Sequence, residues 1–203
     1  MVVGKTFPYR DIRDAIDTGV EFIGENRVQE AEAKYATPDR PFQLHLIGHL
    51  QSNKARKVPG LFSCVQSIDS VRIARALDDA IRSNEAAATD SIEIMMQLNV
   101  SHESTKFGFV DESELRRALD TILTLKHVRP TGLMAIGPFT DDENAIRAAF
   151  RTAFLCFSAV RESRVSDGFR HLSIGMSDDF ELAIEEGSTF VRIGSAILGR
   201  RTQ

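Results

Sequence analysis

The sequence predicts an α/β protein in which short strands alternate with helices. Short apolar segments rich in β-branched residues recur along the 203 residues, and stretches with helical periodicity separate them. Polar side chains capable of chemistry follow several of these apolar segments. The chain is long enough for one well-buried core, so we expect a single domain over residues 1–203.

We expect eight strand-helix units. The predicted strands are residues 2–5, 21–24, 44–48, 64–67, 93–100, 132–136, 171–173 and 190–193. Several of these segments are short, but each contains apolar or β-branched residues. A parallel sheet favours a helix between consecutive strands, because the chain must cross from the carboxyl end of one strand back to the amino end of the next.

The helices carry their own start and stop signals. Pro8 suits a first helical turn, and Gly19 suits the residue that ends the first helix. Asp111 followed by Glu114 resembles a capping pair. A long helix is expected after Asp142, because the apolar residues that follow repeat with a period near 3.6. Ser177 is expected at the start of another helix.

Alternating strands and helices suit either a closed barrel or an open, doubly wound sheet, and periodicity does not separate them. The placement of polar residues favours the barrel, because active sites of barrels are built at the carboxyl ends of the strands. The polar residues at or just after predicted strand ends are Lys5, Asn26, His49, Asn99, Ser101, Ser177, Gly194 and Ser195. We therefore predict a single (β/α)8 (TIM) barrel with a polar ring at one mouth.

Composition excludes several classes of function. The chain is 42% apolar and 27% charged, which is typical of a folded globular protein. Its net charge is −4 and its basic residues are scattered, so we expect no nucleic-acid binding. No run of about 18 apolar residues occurs, which argues against membrane insertion. Cys64 and Cys156 lie in apolar runs without metal-ligand spacing, and this favours a reducing, cytoplasmic setting.

Lys5 is the first candidate for chemistry, because it ends the first predicted strand. A lysine at a barrel mouth can lose its proton more readily than one in water, which Schiff-base chemistry requires. The alternative is an ordinary surface lysine.

The GKT triplet also ends nucleotide-binding P-loops, but the upstream glycine of that motif has no place here and Pro8 follows too closely. ATP and GTP are therefore not expected.

Two turns near the end of the chain are candidates for phosphate binding. Residues 173–178 and 192–196 each follow a strand and precede a helix, and barrels often bind phosphate after strands seven and eight. Ser177 could instead be an ordinary N-cap, and Gly194 a turn glycine.

On a strand, His45 and His49 would lie about 13 Å apart, too far for one metal ion, so no metal site is expected. His49 is either a mouth residue or a hydrogen-bonded structural histidine.

The ordered set of motifs resembles the pyridoxal phosphate homeostasis protein family. The matching segments are VGKT, FIGENRVQEA, HLIGHLQSNKARKV, QSIDS, GLMAIGPFTDD and LSIGMSDDFELAIEEGSTFVRIGSAILG. Together they run from residue 2 to about residue 200. The resemblance implies a barrel of the pyridoxal 5'-phosphate (PLP) binding type, like the N-terminal domain of alanine racemase, with PLP as the cofactor.

The resemblance also implies roles for individual residues. Lys5 would carry PLP as a Schiff base, and Ser177, Gly194 and Ser195 would hold the phosphate. Arg192 would face the pyridine nitrogen, and Asn26 and His49 would lie near the ring. Met134 and Lys106 would line the same mouth. Gly4 stands where members usually have serine, and a longer first strand usually precedes the lysine; we therefore expect a truncated first strand and a less rigidly held Lys5.

Three functions remain open at this point. A PLP carrier in intracellular homeostasis is favoured, because nothing after residue 203 forms the second domain that racemases of this type use, and an arginine at the pyridine nitrogen weakens the electron sink. A weak amino-acid racemase is the alternative, and an aldolase that uses Lys5 directly is the third. No catalytic residue is assigned. PLP-dependent apoenzymes are possible partners, and we expect a monomer.

Overall fold

A parallel sheet with helices packed against it forms the fold. The computed structural model describes residues 1–35, 41–84, 90–101, 107–164 and 168–199. The strands are β1 (Val2–Val3), β2 (Phe22–Glu25), β3 (Gln43–Leu46), β4 (Cys64–Ile68), β5 (Ile92–Leu98), β6 (Val128–Ala135) and β7 (His171–Ser173). The α-helices are α1 (Tyr9–Asp17), α2 (Val28–Lys34), α3 (Val71–Arg82), α4 (Glu112–Ile122), α5 (Glu143–Arg164), α6 (Phe180–Glu185) and α7 (Ser195–Leu198).

The strands lie side by side in chain order, and every neighbouring pair is parallel. A parallel sheet covered on both faces needs nearly continuous burial along its strands. All five residues of β4 are buried, and so are six of the seven residues of β5. The sequence alternation therefore predicted the fold class correctly, and all the carboxyl ends of the strands meet at one edge.

Local signals in the sequence account for the helix starts. Asp111 caps α4 by accepting a hydrogen bond from the Glu114 amide at 2.7 Å, and the Glu114 carboxylate accepts one from the Val110 amide at 2.8 Å. This reciprocal pair confirms the predicted cap. Ser70 caps α3 in a similar way, with its hydroxyl accepting from the Ile73 amide at 3.4 Å. None of the described helices is both long and apolar enough to cross a membrane.

The predicted eighth strand is the main difference between expectation and structure. Residues 190–193 meet the sheet only through isolated bridges, Phe190 to Ser173 of β7 and Ile193 to Val2 of β1. Among the described residues the sheet therefore has seven strands rather than the eight of a regular closed barrel. The physical reason is the shortness of both neighbours. β1 has two residues and β7 has three, which leaves too few consecutive ladder bonds to register a strand between them.

Candidate functional site

A cavity of about 610 Å³ lies at the carboxyl end of the sheet. This is within the range of roughly 300 to 1,000 Å³ that is usual for small-molecule and cofactor sites. Most of the residues predicted for the site line this cavity: Lys5, Asn26, His49, Ser177, Arg192, Gly194 and Ser195. They come from both ends of the chain and from the turns after β2 and β3, and the sheet brings them together.

Lys5 lies in a turn rather than at the end of a strand. β1 stops at Val3, and the Phe7 amide donates to the Gly4 carbonyl at 3.1 Å, which closes a four-residue turn around Lys5 and Thr6. Thr6 has φ of 67°, a left-handed conformation that β-branched residues rarely adopt. The Lys5 side chain is half-buried and faces the cavity, where a primary amine is available for condensation with a carbonyl.

Ser177 lies at the centre of a cluster of hydrogen-bond donors. Its hydroxyl oxygen accepts from the Gly194 amide at 3.1 Å and from the Ala196 amide at 3.3 Å. Two backbone N–H groups therefore converge on one oxygen, an arrangement that suits a phosphate oxygen equally well. The N-cap alternative for Ser177 is wrong, because α6 begins at Phe180 and Asp179 occupies its N-cap position.

Arg192 borders the cavity but is 4% exposed. Its guanidinium donates to the Ser173 carbonyl at 2.7 Å, to the Ser173 hydroxyl at 2.8 Å and to the Ala135 carbonyl at 2.9 Å. These bonds fix the plane of the guanidinium from two neighbouring strands. Burial lowers the pKa of Arg192 to about 10, and the negative charge of Asp179 partly opposes this effect. The side chain is therefore still a cation near neutral pH.

A chain of buried hydrogen bonds continues from Arg192 through the interior of the sheet. The Ser173 hydroxyl donates to Gln66 Oε1 at 2.8 Å, and Gln66 Nε2 lies 2.9 Å from His45 Nδ1. Burial, with a smaller contribution from the nearby His171, lowers the pKa of His45 to about 3. His45 is thus neutral, its Nδ1 accepts from the Gln66 amide, and its Nε2 has no partner among the described residues.

His49 belongs to the mouth and also has a structural partner, so both interpretations offered by the sequence apply. Its Nδ1 lies 2.9 Å from Asp69 Oδ2, and its ring stacks on Phe107 with the centroids 3.8 Å apart. The Ser67 hydroxyl donates to the Gly48 carbonyl at 2.6 Å, beside His49. The QSIDS segment therefore anchors this part of the mouth. Within the described ranges, no group of three or more potential metal ligands occurs.

Some predicted residues lie elsewhere. Met134 is fully buried in a small cluster with Cys64 and Met95 and is not part of the cavity lining. Ile136, two residues and thus about 7 Å further along the chain, lines the cavity instead. Asn99, which accepts from Ser101, lines a separate cavity of about 250 Å³, so these two do not join the polar ring. Lys106 lies outside the described residues.

The structure adds lining residues that the sequence analysis missed. Gln97 lies on β5, and its amide donates to the Phe107 carbonyl at 3.1 Å; a polar residue inside an apolar strand was the available signal. Gly48 approaches the backbone of the turn after β2, and a Cβ there would lie 2.2 Å from the Asn26 carbonyl oxygen. A glycine at the end of a strand is the usual sign of such a close approach.

Comparison with known proteins agrees with this geometry. The family model described as alanine racemase, N-terminal domain, matches residues 9–202. A pyridoxal phosphate homeostasis protein of Aquifex aeolicus is 37% identical over 199 residues, which cover 97% of this chain and 84% of that protein. The chain belongs to the pyridoxal phosphate homeostasis protein family.

Solved structures of similar proteins add to this assignment. The family member PipY of Synechococcus elongatus, in its structure with PLP bound, has a TM-score of 0.84 and 33% identity, covering 98% of this chain and 92% of PipY. An alanine racemase of Clostridium difficile has a TM-score of 0.74 at 12% identity, covering all of this chain and 51% of that chain. The second likeness concerns the fold alone.

Proposed function

We propose that this chain binds PLP in the cavity at the carboxyl end of the sheet and serves in PLP homeostasis by holding, supplying or buffering it. One observation carries the proposal: the Lys5 amine, the donor cluster at Ser177 and the buried guanidinium of Arg192 all border one cavity of about 610 Å³. The membership of the family and the PLP-bound structure of PipY support the same proposal.

The donor set of the cavity fits the chemical groups of PLP. The Lys5 amine would condense with the aldehyde and form a Schiff base with loss of water. Ser177, Ser195 and the amides of Gly194 and Ala196 would hold the phosphate, and Asn26 and His49 would lie near the ring. PLP supplies an electrophilic aldehyde and an electron-withdrawing ring when bound. Met134 lies outside the cavity lining, so we propose no contact between it and PLP.

Arg192 favours a carrier over a racemase. Its pKa of about 10 keeps the guanidinium protonated near neutral pH. It can therefore donate a hydrogen bond to an unprotonated pyridine nitrogen, but it cannot accept one from a protonated pyridine nitrogen. A pyridine nitrogen held in this way stays unprotonated, and the ring is then a weaker electron sink for carbanion chemistry. The racemase alternative is supported by the match of the alanine racemase N-terminal domain model to residues 9–202 and by the fold likeness at 12% identity. None of the relatives and structures described above supports the aldolase alternative.

We further propose that residues 190–193 close the sheet into a barrel. The Val3 amide donates to the Ile193 carbonyl at 2.8 Å, and the Ile193 amide donates to the Met1 carbonyl at 3.1 Å. On the other side, the Phe190 amide donates to the Leu172 carbonyl at 3.2 Å.

A single domain over residues 1–203 fits the continuous main core. Transfer to PLP-dependent apoenzymes, a monomeric state and a cytoplasmic setting stay predictions.

Borohydride reduction of the purified protein loaded with PLP tests the proposal. We expect a pyridoxyl group on Lys5, located by peptide mass spectrometry, and a loss of the visible absorption of the complex in Lys5→Ala. Lys57→Met is the matched control, because Lys57 pairs with Glu32 on the surface and does not line the cavity. An adduct on Lys54 or Lys106 in the unmutated protein would show that the assignment to Lys5 is wrong.

A further inference from the structure

A buried polar cluster supports the turn that carries Lys5. Glu25, at the end of β2, is fully buried, and its Oε1 accepts from Lys34 Nζ at 2.9 Å and from the Tyr35 hydroxyl at 3.0 Å. Lys34 Nζ also donates to the Gly4 carbonyl at 2.8 Å. Neither Glu25, Lys34 nor Tyr35 lines the cavity. The cluster therefore contacts the residue before Lys5 from outside the site.

The turn needs such support because its backbone is unfavourable. Thr6 holds φ of 67°, and a left-handed conformation at a residue other than glycine persists only where its surroundings impose it. The Gly4 carbonyl that closes the turn accepts from both the Phe7 amide and the Lys34 ammonium. A hydrogen bond from an ammonium group is stronger than one between neutral groups, so Lys34 is the stronger of these two restraints.

The cluster is also tightly packed against Gly4. A Cβ at Gly4 would lie 2.6 Å from Ile12 Cδ1 and 3.0 Å from Glu25 Oε1, so the turn has no room to shift toward the cluster. The Lys34 and Glu25 side chains are 15% and 0% exposed, which protects their ion pair from screening by solvent. Burial raises the pKa of Glu25, and the bonds from Lys34 and Tyr35 oppose that rise.

We propose that Lys34, held by Glu25, is a positioning residue for Lys5. By fixing the Gly4 carbonyl it holds the turn in the conformation from which the Lys5 amine reaches the aldehyde of the bound cofactor. This inference rests on the proposed function, in which Lys5 forms the covalent bond. It follows that Lys34 contributes to the covalent attachment of PLP, while contacts with the phosphate and the ring are independent of it.

The test compares two ligands that differ only at the reacting group. Pyridoxine 5'-phosphate has an alcohol where PLP has the aldehyde, so it reports on the phosphate and ring contacts without the covalent bond. In Lys34→Met we expect PLP to bind about tenfold or more weakly, because a charge-assisted hydrogen bond is lost. The rate at which the visible absorption of the covalent complex appears should fall to a similar extent. Binding of pyridoxine 5'-phosphate should hardly change.

Three further variants separate positioning from general damage. Thr6→Gly, added to Lys34→Met, removes the strain of the turn because glycine adopts positive φ freely, and should restore part of the PLP binding. Lys57→Met removes a surface lysine paired with Glu32 at 2.7 Å and should bind both ligands like the unmutated protein. If Lys34→Met does not fold, Glu25→Gln keeps the acceptor oxygen, removes the charge, and should weaken PLP selectively.

The outcomes distinguish this proposal from the function on which it rests. Equal weakening of PLP and pyridoxine 5'-phosphate in the lysine or glutamate variant, or no weakening of either, would overturn the positioning role. A borohydride adduct on a lysine other than Lys5 in the unmutated protein would instead overturn the proposed attachment site. Selective loss of PLP binding, with the adduct still on Lys5, supports both.

Discussion

Ser177 and Arg192 illustrate how single residues acquire their roles through distant partners. Ser177 accepts amide bonds from residues that follow it by 17 and 19 positions, and Arg192 donates to a residue 57 positions before it. Neither residue is an ordinary surface polar group. Each is bonded to backbone atoms of another segment, and each lines the cavity. We expect their effects on ligand binding to be specific to one part of the ligand.

For Ser177→Ala combined with Ser195→Ala, we expect PLP to lose more affinity than unphosphorylated pyridoxal. Only the phosphate loses partners, and removing a hydrogen bond to a charged group costs about 1.5 to 3 kcal/mol. Spectroscopic titration of both ligands measures the difference. Ser113→Ala, on the exposed first turn of α4, serves as a control serine away from the cavity. Equal weakening of PLP and pyridoxal would exclude this location for the phosphate.

At the scale of elements, the least regularly paired part of the fold is the junction between β7 and β1, which residues 190–193 span. β5 and β6 are paired at seven positions, whereas the segment 190–193 meets each neighbour through one isolated bridge. Local opening is easiest where few backbone hydrogen bonds must break together. The cavity lies at this junction, with Lys5 after β1 and with Ser177, Arg192 and Ser195 in or near residues 190–193.

Hydrogen exchange should reveal this junction. We expect peptides containing Val3 and Ile193 to exchange faster than peptides from β5, because their amides are held by isolated bonds of 2.8 Å and 3.1 Å. PLP should slow exchange at the junction more than elsewhere, since a ligand that binds only the closed form stabilises it. Mass spectrometry of pulse-labelled protein, with and without PLP, measures both effects. Protection of residues 190–193 equal to that of β5 would contradict this prediction.

The stability of the whole molecule is coupled to pH through His45. The unfolded chain binds a proton at this histidine below its ordinary pKa of 6.5, whereas the folded protein does so only near pH 3. As the pH falls from 6.5 towards 3, the unfolded state gains protons that the folded state does not. The free energy of unfolding then decreases by about 1.4 kcal/mol per pH unit from this group. Above pH 6.5 the contribution is constant.

His45→Gln should remove this dependence while preserving a hydrogen-bonding side chain beside Gln66. We expect the variant to be less stable than the unmutated protein near neutral pH, because the ring that stacks on Phe190 is lost. It should, however, lose less stability on acidification. Urea unfolding at neutral pH and at a mildly acidic pH, for both proteins, gives the comparison. Equal losses on acidification would show that His45 does not govern the acid response.

Several features of this protein could be read from local sequence. Alternating apolar and helical periods predicted the α/β class, and Asp111 with Glu114 predicted a helix cap, because both depend on preferences within a few residues. Six of the eight residues predicted at or after strand ends line the cavity, since parallel strands bring their carboxyl ends to one edge. The ordered motifs, through their resemblance, pointed to the family that the comparisons then showed.

Other features depended on how distant segments meet. Three contacts have no local signature: the depth of Met134 in the sheet, the partners of Ser177, and the bond from Lys34 to the Gly4 carbonyl, 30 positions earlier in the chain. Residues 190–193 do not form a regular strand, because their pairing depends on the lengths of β1 and β7 rather than on their own composition. Long-range hydrogen bonds, and how deeply a side chain is buried, depend on the register in which two distant segments pair. The residue pattern of one segment alone does not specify that register.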